Sequence, residues 1–244
     1  MMQQEGILTG CDKNHEWLLQ WWWENYLEHN SYPVAFVDFG MSESGLAWCK
    51  ERGICFQAPY IQLPRKEVSP ERKKLWEEHY GKGIWQHREV CLRKPLAFAR
   101  SPFSSTIWID LDCRVRNSVA PLFQILSLGV HISMMKEREK VQETHRKKGF
   151  LHPDEINFNS GVVLFQTHQS ILRHWVQEIH ERSEEFVFDQ HGFSRAYRLH
   201  PNTPFMDLLE IYNWSPWDGP NPHALIYHFH GGYMKDPAMM SLFP

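Results

Sequence analysis

Short apolar runs alternate along the chain with longer stretches in which apolar residues recur at helical spacing. Gly6-Ile7-Leu8-Thr9-Gly10-Cys11-Asp12 reads as a strand ended by a small-residue turn, and Pro33-Val34-Ala35-Phe36-Val37-Asp38-Phe39-Gly40 as a second buried strand ended by Asp and Gly. Between them, residues 15–26 predict an aromatic-rich helix capped by Asp12 or Asn14. Residues 42–52 predict a helix, and Gly53-Ile54-Cys55-Phe56 starts a third strand. Residues 63–86 read as a charged helical excursion over the surface, and residues 94–100 as a short helix. Further strands are expected at residues 106–112, 130–134 and 158–165, and an amphipathic helix at 170–182 with Ile171, Trp175 and Ile179 on its inner face. Residues 136–148 are dense in charge and predict a solvated helix or loop. The strands are apolar throughout rather than alternating, which requires cover on both faces. The expected architecture is therefore α/β, with a mainly parallel sheet flanked by helices. No repeat, low-complexity tract or linker divides the chain, so residues 1–244 are expected to form one domain.

Composition narrows the function. The net charge is −3, from 26 basic and 29 acidic residues, which gives no electrostatic footprint for nucleic acid. A chain of 244 residues buries enough surface to fold without a metal or disulfide as a staple. Cys11, Cys49, Cys55, Cys91 and Cys113 are odd in number and scattered with no CxxC, so reduced, mostly buried thiols are expected. No apolar run reaches the ~18 residues of a transmembrane segment, and the start has neither the basic residues nor the apolar run of a signal peptide. A cytoplasmic location is the expectation. Trp21, Trp22 and Trp23 point three ways from one helix and read as packing; Trp214 and Trp217, in a Pro/Gly-rich loop, are candidates for an acceptor site.

Candidate chemistry centres on Asp110 and Asp112. At the end of an apolar strand, residues two apart share a face, so both carboxylates are expected to converge. Two close carboxylates repel unless a cation or proton compensates. An oxygen-seeking divalent ion does so and commonly recruits substrate phosphates. The C-terminal edge of an open α/β sheet is also where ligands bind. A haloacid-dehalogenase-type phosphohydrolase likewise places Asp-x-Asp at a strand end. It wants Thr or Val two residues after the second Asp, where this chain has Arg114, and its motif lies near the domain start. A sugar-nucleotide-binding protein without catalysis is the other rival.

Thr106-Ile107-Trp108-Ile109-Asp110-Leu111-Asp112 resembles the DxD segment of GT-A glycosyltransferases, which are Rossmann-like and use nucleotide-sugar donors. Three further segments resemble, in order and approximate spacing, the glycosyltransferase family 8-like group. These are Asn157-Phe158-Asn159-Ser160-Gly161-Val162-Val163-Leu164, the pair Asp189-Gln190, and His228-Phe229-His230-Gly231-Gly232-Tyr233-Met234-Lys235. With Leu8-Thr9-Gly10-Cys11-Asp12, the resemblance covers nearly the whole chain. It implies a metal-dependent hexosyltransferase acting on a nucleotide-sugar, a UDP-sugar by preference, with retention of configuration as the family's stereochemical outcome. The acceptor would be a carbohydrate, a lipid-linked group or a protein.

The same resemblance implies that Asp110 and Asp112 hold Mn²⁺ (or Mg²⁺), with Leu111 between them. Measured from His228 to Gly231 the closing histidine spacing fits the family and Lys235 then lies one residue late, which leaves the third ligand between His228, preferred, and His230. An imidazole in the set favours Mn²⁺. Lys235, with Lys94 or Arg93, would meet the diphosphate. Thr9, Gly10, Cys11 and Asp12 would approach the nucleoside, with Asp38 a weaker candidate. Asn159, with Ser160 and Gly161, and the catalytic candidates Asp189 and Gln190 would face the donor sugar.

Overall fold

The apolar run after Gly6 forms the centre of the molecule as β1 (Gln3–Cys11), in a computed structural model that describes residues 3–60, 68–231 and 235–243. The chain continues through α1 (Leu18–Leu27), β2 (Val34–Asp38), α2 (Glu43–Lys50), β3 (Ile54–Gln57), α3 (Pro70–Tyr80), α4 (Ile84–Phe98) and β4 (Phe103–Ile109). It then forms β5 (Cys113–Val115), α5 (Ala120–Ser127), β6 (Ile132–Lys136), α6 (Glu139–Lys147), β7 (Phe158–Gln166), α7 (Ser170–Arg182), α8 (Asp189–Leu199), β8 (Phe205–Asp207), β9 (Ile226–His228) and α9 (Pro237–Ser241). Seven strands pair in the order β3-β2-β1-β4-β7-β6-β8. Only β7 runs against its neighbours; the other ladders are parallel. A small antiparallel pair, β5 with β9, lies apart.

Strand alternation explains the continuous apolar runs. Ile7, Ile107, Val162 and Leu164 enter the core beneath α1 and α5, whereas Leu8, Trp108, Val163 and Phe165 enter the core beneath α4, α7 and α8. The tryptophan triplet behaves as expected of packing. Trp22 is fully buried and stacks on Tyr26, while Trp21 and Trp23 pack half-buried against the same core.

Four boundaries differ from the sequence pattern. Helix α1 begins at Leu18 with no side-chain cap at Trp17, because the Asp12 carboxylate is spent on Asn14 and His15 in the turn before it. Helix α4 starts ten residues before Lys94, at Ile84; its exposed polar face masks an inner face that buries Leu92, Lys94, Leu96, Ala97 and Phe98. The charged stretch before it is more than an excursion, since Trp76 of α3 packs with Val68, Ile84, Phe150 and Val187 in a satellite core. Residues 61–67 of that stretch lie outside the described residues. Finally, β4 ends at Ile109, so Asp110 and Asp112 stand in the following turn and not in the strand.

The charged segment after β6 forms α6, whose inner face carries Gln142 and His145. His145 Nδ1 lies 3.1 Å from Asn157 Nδ2 and 3.4 Å from Nε2 of His191 on α8. Burial pushes His191 down to about 3 and His145 down to about 4, from the usual 6.5. Both depressions stabilise the fold fully above pH 6.5. Below it the unfolded chain takes up protons that the native state refuses, so stability falls from pH 6.5 to about 4 for His145 and to about 3 for His191. Urea midpoints are expected to drop between neutral pH and about pH 5, and to drop less in a His191→Gln variant. An equal drop in both proteins would contradict this.

Candidate functional site

The C-terminal ends of β1, β2 and β4 open into a cleft of about 580 Å³, mouth included, with α4 forming its other wall. Of the residues singled out in the sequence, Gly10, Cys11, Asp12, Lys94, Asp110, Leu111, Asp112 and Lys235 line it. The position is the one expected of an open α/β sheet.

Lys94 organises one half of the acidic turn. Its Nζ donates to Asp110 Oδ1 at 2.9 Å and to the Ser160 carbonyl at 2.7 Å, and lies 3.9 Å from Asp189 Oδ2. Trp108 Nε1 donates to the same Asp110 oxygen at 2.6 Å. Burial alone would push the lysine down, but Asp110 and then Asp189 outweigh it and raise it, so the buried group is an ammonium. Burial pushes the Asp189 carboxyl up, against the opposing charge of Lys94. Arg93 points away and ties down the β2–β3 edge through the carbonyls of Ala58 at 3.0 Å and Phe39 at 3.3 Å. Of the two basic candidates, the structure brings Lys94 to the site.

Pairing of β5 with β9 organises the other half. Cys113 stands opposite His228 in that ladder, and Phe229 N–H donates to the Asp112 carbonyl at 2.9 Å. His228 Nε2 consequently lies 3.5 Å from Asp112 Oδ1 and 3.8 Å from Asp110 Oδ2. His230 stands beside it, ring centroids 5.0 Å apart. Lys235 Nζ reaches Asp112 Oδ2 at 2.9 Å. Burial opposes the Asp112 charge, yet Lys235 and His228 hold its carboxyl well below the usual range. Gly161 of β7 is required by the same packing: a Cβ there would lie 2.2 Å from His228 Cε1.

The donor chemistry fits a divalent cation. The tightest potential ligand group among the described residues is Asp112, Cys113 and His228, with ligand atoms within 4.8 Å of one another. Burial raises the Cys113 thiol well above its ordinary value, and its Sγ lies 3.8 Å from the Gly161 carbonyl oxygen on β7. The oxygen and imidazole donors beside it are Asp110, Asp112 and His228. The 3.5 and 3.8 Å separations are too long for hydrogen bonds, so these donors face a shared space without consuming one another.

Other predicted residues stand elsewhere. Thr9 is fully buried in β1, and Gly10 is glycine because a Cβ would meet the Val37 carbonyl at 2.3 Å. Asp38 closes its own turn through Gly40 N and Met41 N. Asn159, Ser160 and Gly161 lie behind the acidic turn: the Asn159 amide is spent on Glu137, Gly161 and Asn213, and the Gly161 carbonyl accepts from Asp110 N at 2.9 Å. Asp189 opens α8 and is buried, while Gln190 is half-buried. Gly231 adopts φ +89° beneath the indole edge of Trp217, which donates to the His230 carbonyl at 3.1 Å. Gly232, Tyr233 and Met234 lie outside the described residues. All five cysteines are free, and Cys11, Cys49 and Cys113 are buried.

Sequence reasoning missed His15, His87, Cys91, Trp108 and Asn213. His87 and Cys91 line the cleft beside Lys94. Their spacing from Lys94 is i, i+4, i+7, a single helix face that was readable once the helix was known to start early. Burial and then the Lys235 charge push His87 down to about 4.

No protein-family pattern matches the chain, and no curated protein matches it in sequence. Solved structures do match. The galactosyltransferase LgtC, in complex with donor and acceptor sugar analogues, superposes with a TM-score of 0.63 at 15% identity over 93% of this chain and 87% of that one. Mouse xyloside xylosyltransferase 1 gives 0.59 at 17% identity over 96% and 100%. The chain has the GT-A fold. Within that GT-A sheet, the acidic turn follows β4, where four parallel strands end side by side. Among the described residues no helix is long and apolar enough to cross a membrane.

Proposed function

We propose that this protein is a cation-dependent GT-A glycosyltransferase that moves a hexose from a nucleotide-diphospho-sugar, a UDP-sugar by preference, to a hydroxyl acceptor. The observation that carries this reading is the convergence of Asp110 and Asp112, which line the β1–β4 cleft, with the buried His228 directly behind them. It is supported by the solved structures of the same fold, which are a galactosyltransferase with donor and acceptor analogues and a xylosyltransferase. Asp110, Asp112 and His228 would hold Mn²⁺, or Mg²⁺ at a harder site. The ion would supply positive charge for the diphosphate as the leaving nucleotide gains negative charge.

The remaining roles belong to the chain itself. Lys235 presents an ammonium at the cleft wall and is placed to meet diphosphate oxygens once they compete for it with Asp112. Lys94 acts through Asp110, whose Oδ1 it holds so that Oδ2 faces His228. The turn at Gly10, Cys11 and Asp12, with His15 and His87, frames the nucleoside end. By the family resemblance Asp189 and Gln190 would face the donor sugar, and retention of configuration would follow. The acceptor is a carbohydrate, lipid-linked or protein hydroxyl.

The test is a thermal-shift panel of UDP-galactose, UDP-glucose and UDP-xylose with and without Mn²⁺, followed by measurement of released UDP. A ligand at about 100 times its Kd adds about 2.7 kcal/mol, which raises Tm by roughly 5–10 °C in a chain this size. A shift and UDP release that both require Mn²⁺ are expected. Binding without turnover would mark a non-catalytic sugar-nucleotide binder, and cleavage of phosphate monoesters instead would mark a phosphohydrolase.

A further inference from the structure

A line of four polar side chains runs behind the metal-site histidine. Asn159 Nδ2 donates to Glu137 Oε1 at 2.8 Å, Asn213 Nδ2 donates to Asn159 Oδ1 at 2.9 Å, and His228 Nδ1 lies 3.0 Å from Asn213 Oδ1. Asn213 is 1% exposed and follows the 3₁₀ turn Glu210–Tyr212, so water does not substitute for its partners.

The direction of this line is fixed at one end. The backbone N–H of Gly161 donates to Asn159 at 3.0 Å. A peptide N–H only donates, so the Asn159 atom that receives it is the amide oxygen. That oxygen also faces Asn213, which must therefore present its NH₂ to it and turn its own oxygen toward His228. An amide oxygen in turn requires an N–H. The Asn213 oxygen thus fixes a proton on Nδ1 and excludes the neutral Nε2–H tautomer, which leaves Nε2 as the ring nitrogen facing Asp112 and Asp110.

The separations on the other side of the ring agree. An Nε2–H donor would close onto a carboxylate at about 2.8 Å, whereas the two oxygens stand 3.5 and 3.8 Å away. We infer that Asn213 is a positioning residue: it locks His228 in the Nδ1–H tautomer and so reserves Nε2 as a ligand for the divalent cation. The opposite tautomer would satisfy Asp112 by hydrogen bonding and shut an ion out. The inference rests on the proposed function for the identity of the ligand, and on hydrogen-bond chemistry alone for the tautomer. Partners of this kind behind a metal-ligating histidine commonly set affinity by 10–100-fold.

The experiment has two readouts. Ring ¹⁵N shifts of His228 in the cation-free protein report the tautomer, and Mn²⁺ titration followed by electron paramagnetic resonance reports affinity. The wild type is expected to show Nδ1–H. Asn213→Ala is expected to lose that preference and to bind Mn²⁺ roughly 10–100-fold more weakly. Asn213→Asp keeps an acceptor for Nδ1–H but loses the donor to Asn159 Oδ1, so it is expected to keep the Nδ1–H tautomer at a cost in stability. A wild-type Nε2–H tautomer, or an Asn213→Ala protein with unchanged tautomer and affinity, would overturn the inference even if other variants fail to fold. A wild type that shows Nδ1–H yet binds no Mn²⁺ supports the Asn213 lock and overturns the cation reading instead.

Discussion

Asp112→Asn is expected to reduce Mn²⁺-dependent UDP release by roughly 10²–10³-fold while leaving the circular dichroism spectrum unchanged. The substitution keeps shape and backbone, including the Phe229 N–H bond to the residue 112 carbonyl. It removes the one charge that faces both His228 and Lys235. Lys235 is largely buried but lines the open cleft, so its ammonium keeps access to water there when Asp112 is neutral, and the larger cost falls on function rather than on folding. The loss should appear in kcat/KM measured at saturating Mn²⁺. Turnover within about threefold of wild type would mean that the carboxylate does no more than close the turn.

Lys94→Met is expected to be the most destabilising single substitution at the site. One ammonium, almost wholly buried, serves Asp110, Asp189 and the Ser160 carbonyl. Deleting one partner of a buried charge cluster typically costs about 3–5 kcal/mol, because the carboxylates stay behind without compensation. For a chain of this size that corresponds to a fall in Tm of about 10 °C. The double variant Lys94→Met/Asp189→Asn should recover part of the loss, since it removes one of the two stranded charges. Calorimetry of the two proteins checks both statements, and a Lys94→Met Tm within about 2 °C of wild type would contradict them.

The contrast between these two lysines shows what the sequence could and could not reveal. The apolar strands ending in Thr9-Gly10-Cys11-Asp12, Asp38 and Asp110 were legible, because burial on both faces leaves a continuous signature in the chain. The elements that build the site are not of that kind. β5 and β9 have three residues each, too few for any periodicity, and yet their register sets Cys113 against His228 and brings the imidazole to Asp112. The expected reason for convergence, two acids on one strand face, was therefore replaced by a turn held from three sides by Gly161, Lys94 and β9. His228 and His230 were inseparable by alternation alone because both share a strand face. Their surroundings differ only through the cross-strand pairing, which sets His228 opposite Cys113 and beside Asp112. Asn213 carried no signal at all: its role depends on a contact with Asn159, 54 positions away in the chain.

The proposed chemistry needs one cation held by Asp110, Asp112 and His228. Crystals soaked with Mn²⁺ and UDP, with anomalous data collected at the manganese edge, test it most directly. A single strong peak among these three side chains, with the diphosphate on its open side and Lys235 drawn from Asp112 toward it, is the predicted result. A peak at any other site, or UDP bound in the cleft with no peak at all, would contradict it.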